Sequence, residues 1–173
     1  MATAAPLISI EEYLHTSYKP DVHFIDGEIE ERNVGEYDHA KIQTLIVTAF
    51  SGHEDAWQTD AIVEQRIRID SSRVRICDIA VLHRGAPREQ VTTTPPYICI
   101  EVLSPEDRLS CTELVLADYF AMGVPNIWLI DPYARAAYTF GPAGLQPNGS
   151  VVLTIPGTTV ELDLAPMFAR LDA

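Results

Sequence analysis

Two apolar runs, each broken by a single acid, constrain this chain more than any other feature. Asp78 lies inside Ile76-Cys77-Asp78-Ile79-Ala80-Val81-Leu82, and Glu101 inside Ile98-Cys99-Ile100-Glu101-Val102-Leu103. Apolar side chains at successive positions suit a strand covered on both faces, so both runs read as central strands under helices. A carboxylate in such a strand is costly unless its charge is compensated. Two of them on neighbouring strands repel and push one pKa upward. A hard divalent cation between them answers both problems, because carboxylate oxygens are the ligands Mg2+ and Mn2+ prefer. The bland alternative is that each acid sits where its strand frays, or pairs with an arginine such as Arg66 or Arg75.

The pattern around these runs is α/β. Ser9 and Glu12 form a capping box for a helix from Ile10 to before Lys19-Pro20. Val22–Ile25 and Glu28–Glu30 flank Asp26-Gly27, a strong hairpin signal. Asp38 is placed to cap a second helix, with Ile42, Leu45, Ile46, Ala49 and Phe50 on one face and Ser51-Gly52 ending it. Ile62 to Ile69 reads as a strand with Arg66 and Arg68 on one face and Ile67 and Ile69 on the other, and Val74 to Leu82 and Tyr97 to Leu103 follow as the central strands. Asp107 to Met122 is the longest helix, with Leu114, Val115, Ala117, Phe120 and Ala121 facing inward and Gly123 as its C-cap. Asn126–Ile130, Ala136–Phe140, Val151–Ile155 and Val160–Leu162 are the remaining strands, before a terminal helix near Met167. No repeat or linker divides the chain, so residues 1–173 read as one domain.

Composition narrows the function. The 173 residues carry 12 Lys+Arg against 25 Asp+Glu, a formal net charge of −13, which argues against binding nucleic acid through the overall field. Six arginines and four acids between positions 61 and 90 leave that stretch at +2. A phosphate contact would therefore come from Arg66, Arg68 and the Arg73–Arg88 stretch, unless these arginines pair with the abundant acids. Cys77, Cys99 and Cys111 have no CxxC spacing and read as buried free thiols of a reducing compartment. The N-terminus has no basic region ahead of an apolar stretch, and no apolar run could span a bilayer. The expectation is a soluble, cytoplasmic protein with no membrane partner.

Several segments together resemble the Uma2 family of restriction-endonuclease-like proteins, within the PD-(D/E)xK nuclease superfamily. They are Asp26-Gly27-Glu28, His39, Arg75-Ile76-Cys77-Asp78-Ile79-Ala80-Val81, Glu101-Val102-Leu103-Ser104-Pro105, and Tyr119 through Gly123-Val124 to Trp128-Leu129-Ile130-Asp131-Pro132. The resemblance implies a mixed central β-sheet flanked by helices, with a metal site where two central strands diverge. It implies that Asp78 and Glu101 hold Mg2+ (or Mn2+), which polarises a DNA phosphodiester and activates water. His39 is implied to border the active site, against the bland reading of a solvated first-turn residue. Glu28 matches a family acid and is either a further metal ligand or an exposed strand residue. The resemblance also suggests a homodimer.

The chain departs from the family pattern at informative places. Cys77 stands where the family usually has Pro. The superfamily lysine would fall at position 103, which is Leu103, or in this family four residues before Tyr119, which is Val115. The acid usual four residues earlier is Cys111, and the chain's two lysines are Lys19 and Lys41. A preorganised charge of this kind is worth roughly 10²–10³ in rate. Three functions follow: a metal-dependent endonuclease with a weakened site, a catalytically inactive binding or assembly module, or a carboxylate pair serving a small phosphorylated substrate, which the acidic surface disfavours.

Overall fold

The structure is a computed structural model that describes residues 7–33 and 35–172; the first six residues, part of the stretch read for a leader, lie outside it. Helix α1 (Ile10–His15) is capped as expected, with the Glu12 N–H donating to Ser9 Oγ at 3.0 Å. Strands β1 (His23–Ile25) and β2 (Glu28–Glu30) are joined by Asp26 and Gly27, whose φ values of 50° and 92° are those of a tight primed hairpin turn.

Helix α2 (Tyr37–Gly52) corrects two expectations. Glu36 is the N-cap residue, without a side-chain bond, so Asp38 sits inside the first turn and complements the helix dipole instead of capping it. Ser51 and Gly52 remain helical, and a short α3 (Glu54–Trp57) follows.

Strands β3 (Thr59–Arg68) and β4 (Arg73–His83) pair antiparallel, from Thr59↔His83 to Arg68↔Val74. β5 (Ile98–Val102), α4 (Leu109–Met122) and β6 (Asn126–Asp131) form a crossover unit with β5 and β6 parallel. β7 (Ala136–Gly141) and β8 (Gly144–Pro147) extend the sheet antiparallel, β9 (Val152–Thr154) and β10 (Glu161–Asp163) make a separate hairpin, and α5 (Ala165–Ala169) ends the fold. The main sheet runs β2-β1-β4-β5-β6-β7-β8, with β3 on β4. It is the mixed, helix-flanked single domain expected.

The two central strands are covered on both sides. Ile79, Val81, Ile98, Ile100 and Val102 pack in the core under α2, while Ala80 and Cys99 pack under α4. Strict alternation would send Cys77 to the α2 side with Ile79, yet Cys77 lies in the α4 core. The slip falls at Asp78, opposite Glu64, whose φ of 51° interrupts β3. It turns Asp78 toward α2.

Helix α4 corrects the expected inner face. Val115, Leu116, Asp118 and Tyr119 are buried, whereas Leu114 and Phe120 are exposed. Apolar residues surround this helix almost evenly, so its sequence carries no orientation signal. The tertiary pairing of Asp118 with Arg73 and Arg75 sets the face instead. Gly123, at φ 95°, ends the helix as anticipated, with the Val124 N–H donating to the Tyr119 carbonyl. Cys77 and Cys99 are buried free thiols, but Cys111 is exposed. Among the described residues no helix is long and apolar enough to cross a membrane.

Candidate active site

The site forms where β4 loses its neighbours on one edge. β1 pairs with β4 only at Arg73 and Val74, and β5 only at Ile79 to Val81. In the fork between them, backbone donors must find side-chain acceptors. The Ile76 N–H donates to His23 Nδ1 at 3.1 Å, and the Val102 N–H donates to Asp78 Oδ2 at 2.9 Å. Asp78 and Glu101 both line a cavity of about 480 Å3 at this fork. Residues of the segment after β2, of the loop after β5 and of α4 close its other sides.

Asp78 is buried, and donors reach both of its oxygens. Besides Val102, Oδ2 accepts from His39 Nε2 at 3.1 Å. Oδ1 accepts from Arg32 Nη2 at 2.7 Å. Burial alone would raise the Asp78 pKa, but the His39 hydrogen bond, the charges of His39 and Arg32 and the Val102 N–H together hold it below the usual carboxylate value. The reciprocal balance acts on His39: burial disfavours its charge, and the bond to Asp78 and that carboxylate's charge outweigh it, raising its pKa. The Gln43 amide of α2 donates to the Asp78 carbonyl at 2.8 Å and to Glu64 Oε1 at 3.1 Å.

Glu101 has the opposite character. Its Oε1 accepts from the Tyr119 hydroxyl at 2.6 Å, its one side-chain partner among the described residues. Burial, and next the charge of Asp78, push its pKa well above the ordinary value. Two carboxylates of one cavity are therefore driven apart, one kept ionised and the other favouring its proton.

These donors suit a hard dication chemically. Among the described residues no three His, Cys, Asp or Glu side chains group into an all-protein metal cage. Mg2+ does not require one, because it is commonly held by one or two carboxylates with water and substrate phosphate. Asp78 and Glu101 are such a pair, and the charge that burial disfavours on Glu101 is what an adjacent cation would relieve.

The other expected site residues fall unevenly. His39 joins the site; Glu28 is exposed on β2 and does not line the cavity, although Glu30 and Glu31 beside it do. Leu103, Cys111 and Val115, the positions where the resemblance expects a lysine or an acid, all line the cavity. Lys41, on α2, does not. The arginines near the first acid are mostly paired: Arg66 with Asp21, Arg73 with Asp118 and Asp26, Arg75 with Asp118 and Glu30, and Arg84 with Asp55. Neither Arg66 nor Arg75 is the partner of Asp78. That partner is Arg32, which the pattern of the sequence did not single out. One signal was present: between Lys19 and Lys41 it is the sole Lys or Arg, in a stretch rich in acids. His23 also lines the cavity, but burial and the nearby Arg75 and Arg32 lower its pKa to about 3, so it stays neutral.

Comparison with known proteins bears on the fold and the family. No curated protein matches the chain. Its fold is similar to the crystal structure of a "putative nuclease belonging to DUF820" from Anabaena variabilis, with a TM-score of 0.82 and 21% sequence identity, covering 95% of this chain and 99% of the other. The model of the Uma2 family, described as "Putative restriction endonuclease", matches residues 10–169. The chain therefore belongs to the Uma2 family of restriction-endonuclease-like proteins.

Proposed function

We propose that this protein is a Mg2+- or Mn2+-dependent endonuclease of the PD-(D/E)xK type, acting on DNA phosphodiester bonds, with Asp78 and Glu101 as the metal ligands. The observation that carries this reading is the meeting of a buried carboxylate, Asp78, and a half-buried one, Glu101, from neighbouring central strands at one cavity in a strand fork. A bound ion of this kind polarises the scissile phosphate and lowers the pKa of the attacking water. The chain's own residues do the rest. His39 and the Val102 N–H hold Asp78 by Oδ2, which aims Oδ1 and keeps the carboxylate ionised. The Tyr119 hydroxyl fixes Glu101. His39, its pKa raised by the bond to Asp78, is the titratable side chain in contact with the first acid. A homodimer is the assembly the family resemblance suggests, and light scattering would test it.

Plasmid nicking with Mg2+ or Mn2+ is the test. Cleavage that is lost in Asp78→Ala supports the reading; none at high protein concentration with either metal sinks it.

A second reading is a catalytically inactive binding or assembly module. It is favoured by the cavity wall itself, where Leu103, Cys111 and Val115 supply neither lysine nor acid. Val115→Lys separates the two: a large rise in nicking supports a degenerate wild-type site, and full activity in the wild type excludes it.

A further inference from the structure

The two oxygens of Asp78 are held in different ways. Oδ2 is bonded from regular elements, by His39 in α2 and the Val102 N–H in β5. Oδ1 has Arg32 as its partner among the described residues, and Arg32 lies in the irregular segment between β2 and α2. The other guanidinium nitrogen, Nη1, donates to Glu64 Oε2 at 2.6 Å. Glu64 is in turn held by Gln43 and is partly open to solvent. Arg32 therefore has a second anchor that does not depend on Asp78.

We propose that Arg32 and a divalent cation are alternative occupants of one position, each taking Asp78 Oδ1 in turn, so that Arg32 sets how readily the site loads metal. The proposal rests on the reading of Asp78 and Glu101 as metal ligands. Its physical basis is charge and geometry. Without a metal ion and without Arg32, the ionised Asp78 would face Glu101 at this fork with His39 as its remaining side-chain partner, and a buried carboxylate short of partners is strongly unfavourable. The guanidinium supplies the missing charge in the metal-free protein. A dication at Oδ1 competes with Arg32 for that oxygen, because the two positive groups would repel at contact distance in a medium that screens poorly. When metal enters, Arg32 releases Oδ1 and stays on Glu64, a positive charge at the rim of the cavity. A chain without the family lysine thereby keeps its acidic site folded when no metal is bound.

The experiment is Mn2+ binding, read by electron paramagnetic resonance of the free ion and by the rise in melting temperature that Mn2+ produces. Wild type, Arg32→Gln, Asp78→Asn and the Arg32→Gln/Asp78→Asn double variant are compared. We expect Arg32→Gln to bind Mn2+ at least about tenfold more tightly than wild type. We also expect a larger melting shift for that variant, and both gains should disappear in the double variant. Equal or weaker binding by a folded Arg32→Gln protein overturns the competition, even where Asp78→Asn shows that Asp78 holds the ion. Tight binding that survives Asp78→Asn overturns it as well. No Mn2+ bound by any variant removes the metal-ligand reading and this proposal together. Should Arg32→Gln fail to fold, Arg32→Lys is the replacement, since it keeps the charge but loses the fork that spans Asp78 and Glu64. It should bind Mn2+ severalfold more tightly than wild type, and equal affinity overturns the proposal.

Discussion

Two buried aspartates in this molecule, each held by two basic side chains, do different things. Asp118, on α4, accepts from Arg75 Nε at 2.7 Å and Arg73 Nη1 at 2.6 Å, and no second buried acid joins that cluster among the described residues. Asp78 accepts from Arg32 and His39, shares its cavity with Glu101, and lies where strands part. The Asp118 cluster ties α4 to β4, and the other acids on its two arginines, Asp26 and Glu30, are exposed. The Asp78 cluster brings a second carboxylate, Glu101, to the same cavity, with open space beside it. A buried ion pair alone is thus a poor marker of a site; a second like charge at a cavity is the better one.

Removing each carboxylate should break this comparison most sharply. Asp118→Ala leaves Arg75, only 4% exposed, without its main partner, and is expected to cost about 3–5 kcal/mol by urea unfolding. Asp78→Ala leaves Arg32 on Glu64 beside a cavity and relieves Glu101, so its expected cost is smaller, about 1–3 kcal/mol. Equal losses would mean that the two clusters are both structural.

Glu101→Gln should stabilise the metal-free protein, by about 1–2 kcal/mol near neutral pH. The sign follows from the raised pKa. A group that binds its proton more tightly when folded contributes stability below its unfolded value of about 4.5 and loses it as pH rises. The benefit of Glu101→Gln should therefore grow from acidic to alkaline pH in melting curves; a flat difference would contradict it.

His39 offers a smaller, separate limb. Its raised pKa makes the His39–Asp78 pair most stabilising below the free-imidazole value of about 6.5, and the contribution fades as pH climbs through the folded value. Asp78, with a lowered pKa, contributes above about 3.8 and loses that contribution as pH falls through its folded value. His39→Gln should flatten the decline of stability that begins above about pH 6.5, while Asp118→Asn should leave it unchanged. An unaltered alkaline limb in His39→Gln would show that the pair does not titrate.

The smallest expected effect is at Gly35. A Cβ there would lie 2.5 Å from His39 Nδ1, so Gly35→Ala must push the imidazole. We expect a loss of about 1 kcal/mol and a shifted His39 titration by NMR, with the Asp118 cluster untouched.

Much of the fold was legible because it rests on local chemistry. The Asp26-Gly27 turn, the Ser9 cap, the Gly123 terminator and the two-faced apolar strands all act within a few residues, and each appears where the sequence places it. The orientation of α4 was not legible, because its apolar residues do not favour one side and its single buried acid is matched by arginines more than forty positions away. The cap of α2 failed for a similar reason: several acids compete near Glu36 and Asp38, and tertiary docking chose the start.

For the site, the sequence by itself determined the actors that must be compensated. An acid inside an apolar strand is a demand for charge wherever the chain folds, and Asp78 and Glu101 declare that demand without any coordinates. Which cation answers it was decided only by tertiary structure. Arg66 and Arg75 are nearer in sequence, yet they are drawn to Asp21, Asp118 and Glu30, while Arg32 reaches Asp78 from 46 positions away through the fork between β1 and β5. Burial specifies that a charge must be met, and three-dimensional packing chooses the side chain that meets it.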